Sequence, residues 1–216
     1  MPRTISEIYD EYEVGLGTRE HMLRVAAVAS MICDNFDESL PKDEIITACL
    51  LHDMGNIIKS DLNYFPEFIQ PQGLDYWQSV KDKYIEKYGD DEHEATIKIM
   101  RELNVSQEII KLVNQVDFSF LCKNFSGNDF RIKIVNYADM RVDPHGVVSY
   151  EERQEEARKR YKNRPELYII QNRDELTACG KGIEKQIFAK CKIKPEDINN
   201  ATVAPLITDL KNFVIK

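Results

Sequence analysis

Three ionisable residues, His21, His52 and Asp139, stand where the surrounding helical pattern calls for apolar side chains. His21 starts the stripe His21, Val25, Val28, Ile32; His52 ends the stripe Ile45, Ala48, Cys49, His52; Asp139 lies within Ile132, Val135, Asp139, Val142. A carboxylate facing a core without compensating charge costs several kcal/mol or changes its protonation, so Asp139 requires a cation or several donors beside it. One bound metal ion would satisfy all three. Asp53 follows His52 directly, about 100° round the helix, and a helix lying tangentially to an ion can present both neighbours to it. Taken singly, each residue has a plainer use: a histidine on an apolar face is more often bonded to backbone, and a buried aspartate more often pairs with Arg or caps a helix.

The elements that must position these residues read as helices throughout. Strand signals are weak, because β-branched residues fall at helical spacing and no alternating run sits between hairpin turns. A short helix from about Ser6 to Glu13 precedes Gly15 and Gly17, and Thr18 can cap the helix that carries His21. Pro41 opens the helix toward His52, and Gly55 is placed to end it. The stretch from Asp61 to Trp77, rich in aromatics and containing two prolines, reads as an irregular crossing that could cover a pocket. Helices follow at about Asp75 to Tyr88, at Asp91 to Leu103, and from a Ser106 cap through Val116. Asp117 to Asp129 reads as a loop, and the helix DFRIKIVNYADMRV carries Asp139. After the turn Asp143-Pro144-His145-Gly146, Ser149 and Glu152 form a capping box ahead of EERQEEARKRY, whose dense charge suggests a largely solvated helix. Two or three more helices are expected, with Pro165 and Pro195 at starts and Pro205 breaking the last.

The length of 216 residues fits one domain, or one with an extension, against a usual size of roughly 100 to 200. The expected division is a metal-binding helical domain over 1–148 and a C-terminal helical extension over 149–216 packed on it. No apolar run approaches the roughly 18 residues of a membrane span, and no secretory signal is visible, so the expected compartment is cytoplasmic. Five scattered cysteines without CxxC spacing read as reduced thiols. A net charge of −8 argues against affinity for a nucleic-acid polymer, while a small phosphate ester neutralised by a metal stays compatible.

The pieces TREHMLRVAAVA around His21, LLHDMGN around His52 and Asp53, and IVNYADMRV around Asp139 together resemble the HD-domain metal-dependent phosphohydrolases. The resemblance spans about Gly15 to Val142 and implies an all-α bundle, here with additional C-terminal helices. It implies one divalent ion held by His21, His52, Asp53 and Asp139. Some members hold a second metal through extra histidines; here only His93 lies in that interval, at the head of the stripe His93, Ile97, Met100, Asn104, and a mononuclear site is expected. Many members have a lysine where Asn56 stands and others a glutamate; Asn56 can orient a phosphate or a water but cannot take a proton.

Two imidazoles and two carboxylates suit Mn, Fe, Co or Ni, with Zn compatible and Mg less natural. The expected activity is phosphomonoester or phosphodiester hydrolysis, of a nucleotide by family resemblance. Asp53 is expected to orient the nucleophile, assisted by Asn56 and His93, and Arg19, Lys59 and His93 are expected to clamp the phosphate. Tyr64, Phe65, Phe68, Tyr76 and Trp77 could stack a base or simply pack a core. The alternative function is a catalytically weakened module that binds metal and nucleotide in a regulatory role. A homo-oligomer is compatible with a charged helix followed by an apolar tail.

Overall fold

The computed structural model describes residues 2–162 and 172–215. Among the described residues the α-helices are, in chain order, α1 (Ile5–Glu11), α2 (Leu16–Asp34), α3 (Lys42–Leu51), α4 (Leu74–Tyr88), α5 (Glu92–Glu102), α6 (Gln107–Val113), α7 (Leu121–Ser126), α8 (Phe130–Asp139), α9 (Tyr150–Arg160), α10 (Arg173–Phe188) and α11 (Asn200–Leu210). Among the described residues, extended structure is confined to the antiparallel pair β1 (Arg3–Thr4) and β2 (Val214–Ile215) and two isolated bridges. None of these helices is long and apolar enough to cross a membrane.

The bundle is organised around α2. Met22, Val25, Ala26, Ala27, Val28, Ala29 and Ile32 are all buried, so this helix is apolar on most of its circumference and must be surrounded. Its alanines let neighbours approach closely: α3, α8 and α11 each pack on it, α3 also meets α6 and α8, and α10 lies against α7 and α8. The cap of α2 is Gly15, with no side-chain bond, and Thr18 falls inside the helix. Gly17 is required for a different reason than chain breaking, since a Cβ there would stand 2.7 Å from the Phe68 ring. The crossing that contains Phe68 is thus pressed onto the first turn of α2, and the rings of Phe65 and Phe68 also meet His145, at 5.6 and 5.9 Å.

Several expectations are corrected. The stretch read as a loop holds a 3-10 turn, Phe118–Phe120, and α7, which forms because Leu121 is buried against its neighbours. That packing brings Cys122 on α7 to Cys179 on α10, Cα atoms 4.9 Å apart, and the two are disulfide-bonded; Cys33, Cys49 and Cys191 are free. Pro205 sits inside α11 without ending it, because Val203 and Leu210, on either side of it, are buried and hold the helix in place. Pro195 starts only a 3-10 turn, and Pro165 lies outside the described residues. The capping box of α9 is formed as expected, Ser149 Oγ accepting from Glu152 N and Glu152 accepting from Ser149 N. The helix it opens is not largely solvated, however, for Tyr150, Gln154 and Ala157 are buried along one face.

Arg141, two residues beyond α8 and only 3% exposed, ties the end of that helix to later segments. It donates to the carbonyls of Val148, Pro195 and Ile198 and to the Tyr137 hydroxyl, which in turn donates to Glu184 at 2.6 Å. Replacing it strands acceptors that solvent cannot reach. Arg141→Met is expected to lower stability by about 3 kcal/mol or more, read by chemical denaturation.

Candidate metal centre

Three elements deliver four donor side chains to one point: His21 from the second turn of α2, His52 and Asp53 from the turn that follows α3, and Asp139 as the last residue of α8. The adjacent pair reaches the site because α3 stops at Leu51, so His52 and Asp53 sit in a turn rather than on a helix tangent to an ion. Gly55 makes that turn fit. A Cβ there would lie 2.3 Å from the Glu92 carbonyl at the start of α5, and the Gly55 N–H donates to Thr96 Oγ1 at 2.9 Å.

Asp139 Oδ1 lies 2.9 Å from His21 Nε2 and 3.6 Å from His52 Nε2. Asp53 Oδ2 lies 3.9 Å from each of the same two nitrogens. Donor atoms each about 2.1 Å from a common ion stand roughly 3 to 4 Å apart, so these spacings suit one shared cation. His21, His52 and Asp53 each offer a ligand atom within 4.8 Å of the others.

The chemistry of His52 is the closest test of that fit. Its Nδ1 is 2.8 Å from the Cys49 carbonyl, an acceptor, so Nδ1 carries hydrogen and Nε2 turns to the cluster. That Nε2 is buried and has no hydrogen-bond partner. A ring anchored to a backbone carbonyl through one nitrogen, with the other free of any hydrogen bond and turned toward two carboxylates, is the arrangement of a metal-ligating histidine. Electrostatics agree. Burial depresses the His52 pKa, but the carboxylates of Asp53 and Asp139 and the Cys49 carbonyl outweigh it and lift the imidazole to about 9. Burial likewise works against the Asp139 anion, yet the two imidazoles hold its carboxyl well below the usual range. The site calls for positive charge, and the residues present fit a divalent ion.

Asn56 and Lys59 adjoin this cluster. Asn56 Nδ2 donates to Asp53 Oδ2 at 2.8 Å while its Oδ1 accepts from Ser60 Oγ at 2.9 Å, which fixes the carboxylate oxygen facing both histidines. Lys59 lines the cleft and pairs with Glu92 at 3.1 Å. The carboxylates of Asp53 and Glu92 beside it raise its pKa. The other two expected contacts lie elsewhere. Arg19 is taken up in joining α1 to α2, donating to the carbonyls of Val14 and Tyr9 and pairing with Asp10. His93 is bonded through Nε2 to Asn114 Oδ1 at 2.9 Å and is absent from the cleft wall.

The four donors open into a cleft of about 450 Å³. Tyr64, Phe65, Phe68 and Trp77 line it, whereas Tyr76 points away and bonds to Glu13. Sequence reasoning missed a second wall: Arg153, Gln154, Ala157, Arg160 and Tyr161 of α9 and its end, with Arg173 at the start of α10. The stripe Tyr150, Gln154, Ala157, Tyr161 was the available signal, masked by the surrounding charge.

A family model described as HD domain matches residues 18–139. No curated protein and no solved structure matches the chain. The match covers more than half of the 216 residues and contains all four converging donors, and the chain belongs to the HD-domain family, whose members are in general metal-dependent phosphohydrolases.

Proposed function

We propose that the protein is a divalent-metal-dependent phosphohydrolase that cleaves a phosphomonoester or phosphodiester bond of a small nucleotide. The observation that carries this reading is His52 Nε2, buried, without a hydrogen-bond partner, and facing the two carboxylates of Asp53 and Asp139. One ion held by His21, His52, Asp53 and Asp139, with Mn, Fe, Co or Ni best suited to the donor set, would supply a lowered pKa for water and polarisation of a phosphoryl oxygen. Asp53, clamped by Asn56, orients the attacking water. Lys59 offsets charge on the phosphate from the cleft wall. Phe65, Phe68 and Trp77 give a base apolar faces to lie on. A cleft of about 450 Å³ suits a nucleotide and excludes a folded polymer.

Protein reconstituted with Mn is expected to hold one ion per chain by elemental analysis and to hydrolyse members of a panel of nucleotides and p-nitrophenyl phosphates. His52→Ala and Asp139→Ala are each expected to empty the site and reduce turnover by more than about a hundredfold, since groups merely behind the ligands commonly cost ten to a hundredfold. Wild-type protein that retains none of the offered ions would sink the proposal.

A second reading draws on Asn56, an amide that neither takes up nor releases a proton near neutral pH and is already engaged by Asp53 and Ser60. In that reading the chain binds metal and nucleotide as a regulatory module. It predicts nucleotide binding with no turnover across the panel. The hydrolase reading predicts that Asn56→Ala, which frees the Asp53 carboxylate, lowers kcat by about tenfold with metal still bound.

A further inference from the structure

We infer that Arg153 and Arg160, on the cleft face of α9, form an anion subsite for a second phosphate, so that the substrate carries at least two phosphate groups. This rests on the proposed hydrolase reading for the phosphate under attack. The two arginines are seven residues apart, two helical turns, and both line the cleft that contains the four metal-directed donors. Their side chains are 13% and 18% exposed. Nε of each is buried and makes no hydrogen bond. An Nε–H so placed has given up water without gaining an aligned acceptor, a cost that surface solvation would have removed.

Their common counter-ion is a single carboxylate. Glu156 lies 3.0 Å from Arg153 Nη1 and 3.0 Å from Arg160 Nε, the latter without hydrogen-bond alignment. Among the described residues the two guanidiniums share this one carboxylate as ion-pair partner, at the wall of a cleft that Asp117 and Asp143 also line. Such a patch runs against the chain as a whole, whose net charge is −8. Neither arginine forms an ion pair with Asp53 or Asp139, so both guanidiniums stand apart from the carboxylates of the metal-directed cluster. Planar forked donors match phosphate oxygens in pairs, which makes a further phosphate the group of fitting chemistry. The Arg160 guanidinium also lies over the Tyr161 ring at 4.7 Å, which holds its plane in place.

The test measures equilibrium binding of methylenediphosphonate and methylphosphonate, neither hydrolysable, to the full chain in excess Mn²⁺ by calorimetry. Wild-type protein is expected to prefer the diphosphonate by about tenfold or more, and Arg153→Met and Arg160→Met are each expected to cut that preference by about tenfold. Glu156→Gln is expected to increase it, because the guanidiniums lose their internal competitor. That opposite sign decides the matter even where an arginine variant fails to fold by circular dichroism. Equal affinity for the two probes, or a preference that Glu156→Gln leaves unchanged or lowers, overturns the subsite. Turnover of monophosphates without any diphosphonate preference would leave the hydrolase and remove the subsite; an arginine-dependent preference without turnover would do the reverse.

Discussion

Two carboxylates held inside a helical bundle set the terms for everything around them. Asp53 and Asp139 approach the same pair of imidazoles, and their anionic forms are tolerated only while positive charge stands between them. Burial alone would keep His52 neutral, but Asp53, Asp139 and the Cys49 carbonyl outweigh it and raise its pKa. A divalent ion would meet the same demand with more charge, with the rings holding it as neutral ligands. The cluster is therefore a place where folding and cation binding draw on one electrostatic balance.

The scaffold is arranged to prevent the four donors from relaxing apart. His21 is anchored by the buried circumference of α2, Asp139 by the end of α8, where Arg141 binds three carbonyls and a tyrosine hydroxyl. The turn carrying His52 and Asp53 is wedged against α5 at Gly55, where a side chain has no room. Each donor is thereby fixed from behind by packing or backbone bonds, and Asn56 adds a bond to Asp53 from the side. Preorganisation of this kind keeps the like charges of the carboxylates close at no cost in order when the cation arrives.

What could be read from the sequence followed from how strongly local chemistry constrained it. His21, His52 and Asp139 were visible because an ionisable group on an apolar stripe contradicts its surroundings, and the Ser149–Glu152 box because capping is local. α7 was illegible because its six residues form through burial of Leu121 rather than through any periodic pattern of their own, and with α7 went the contact that joins Cys122 to Cys179. Arg19 reads as a site residue from its proximity to His21 in sequence, and His93 from its place at the head of an apolar stripe where the resembling family carries extra histidines. Their partners, the Val14 and Tyr9 carbonyls and Asn114, are tertiary facts. The buried face of α9 was hidden by the reverse error, since Arg and Glu at seven of its eleven positions read as solvent-facing whether or not a wall stands opposite.

That last misreading bears on how an acidic protein can receive an anionic ligand. A net charge of −8 spread over the surface repels phosphates at long range, but at physiological salt such repulsion is screened beyond about 8 Å. Inside a cleft with low-dielectric walls, the few fixed charges on the lining dominate instead. Here that lining includes Lys59, Arg153 and Arg160, set among Phe65, Phe68 and Trp77. On the proposed reading, the outer acidity would disfavour extended polyanions, while a small ligand would meet these cations beside the carboxylates of Asp53 and Asp139.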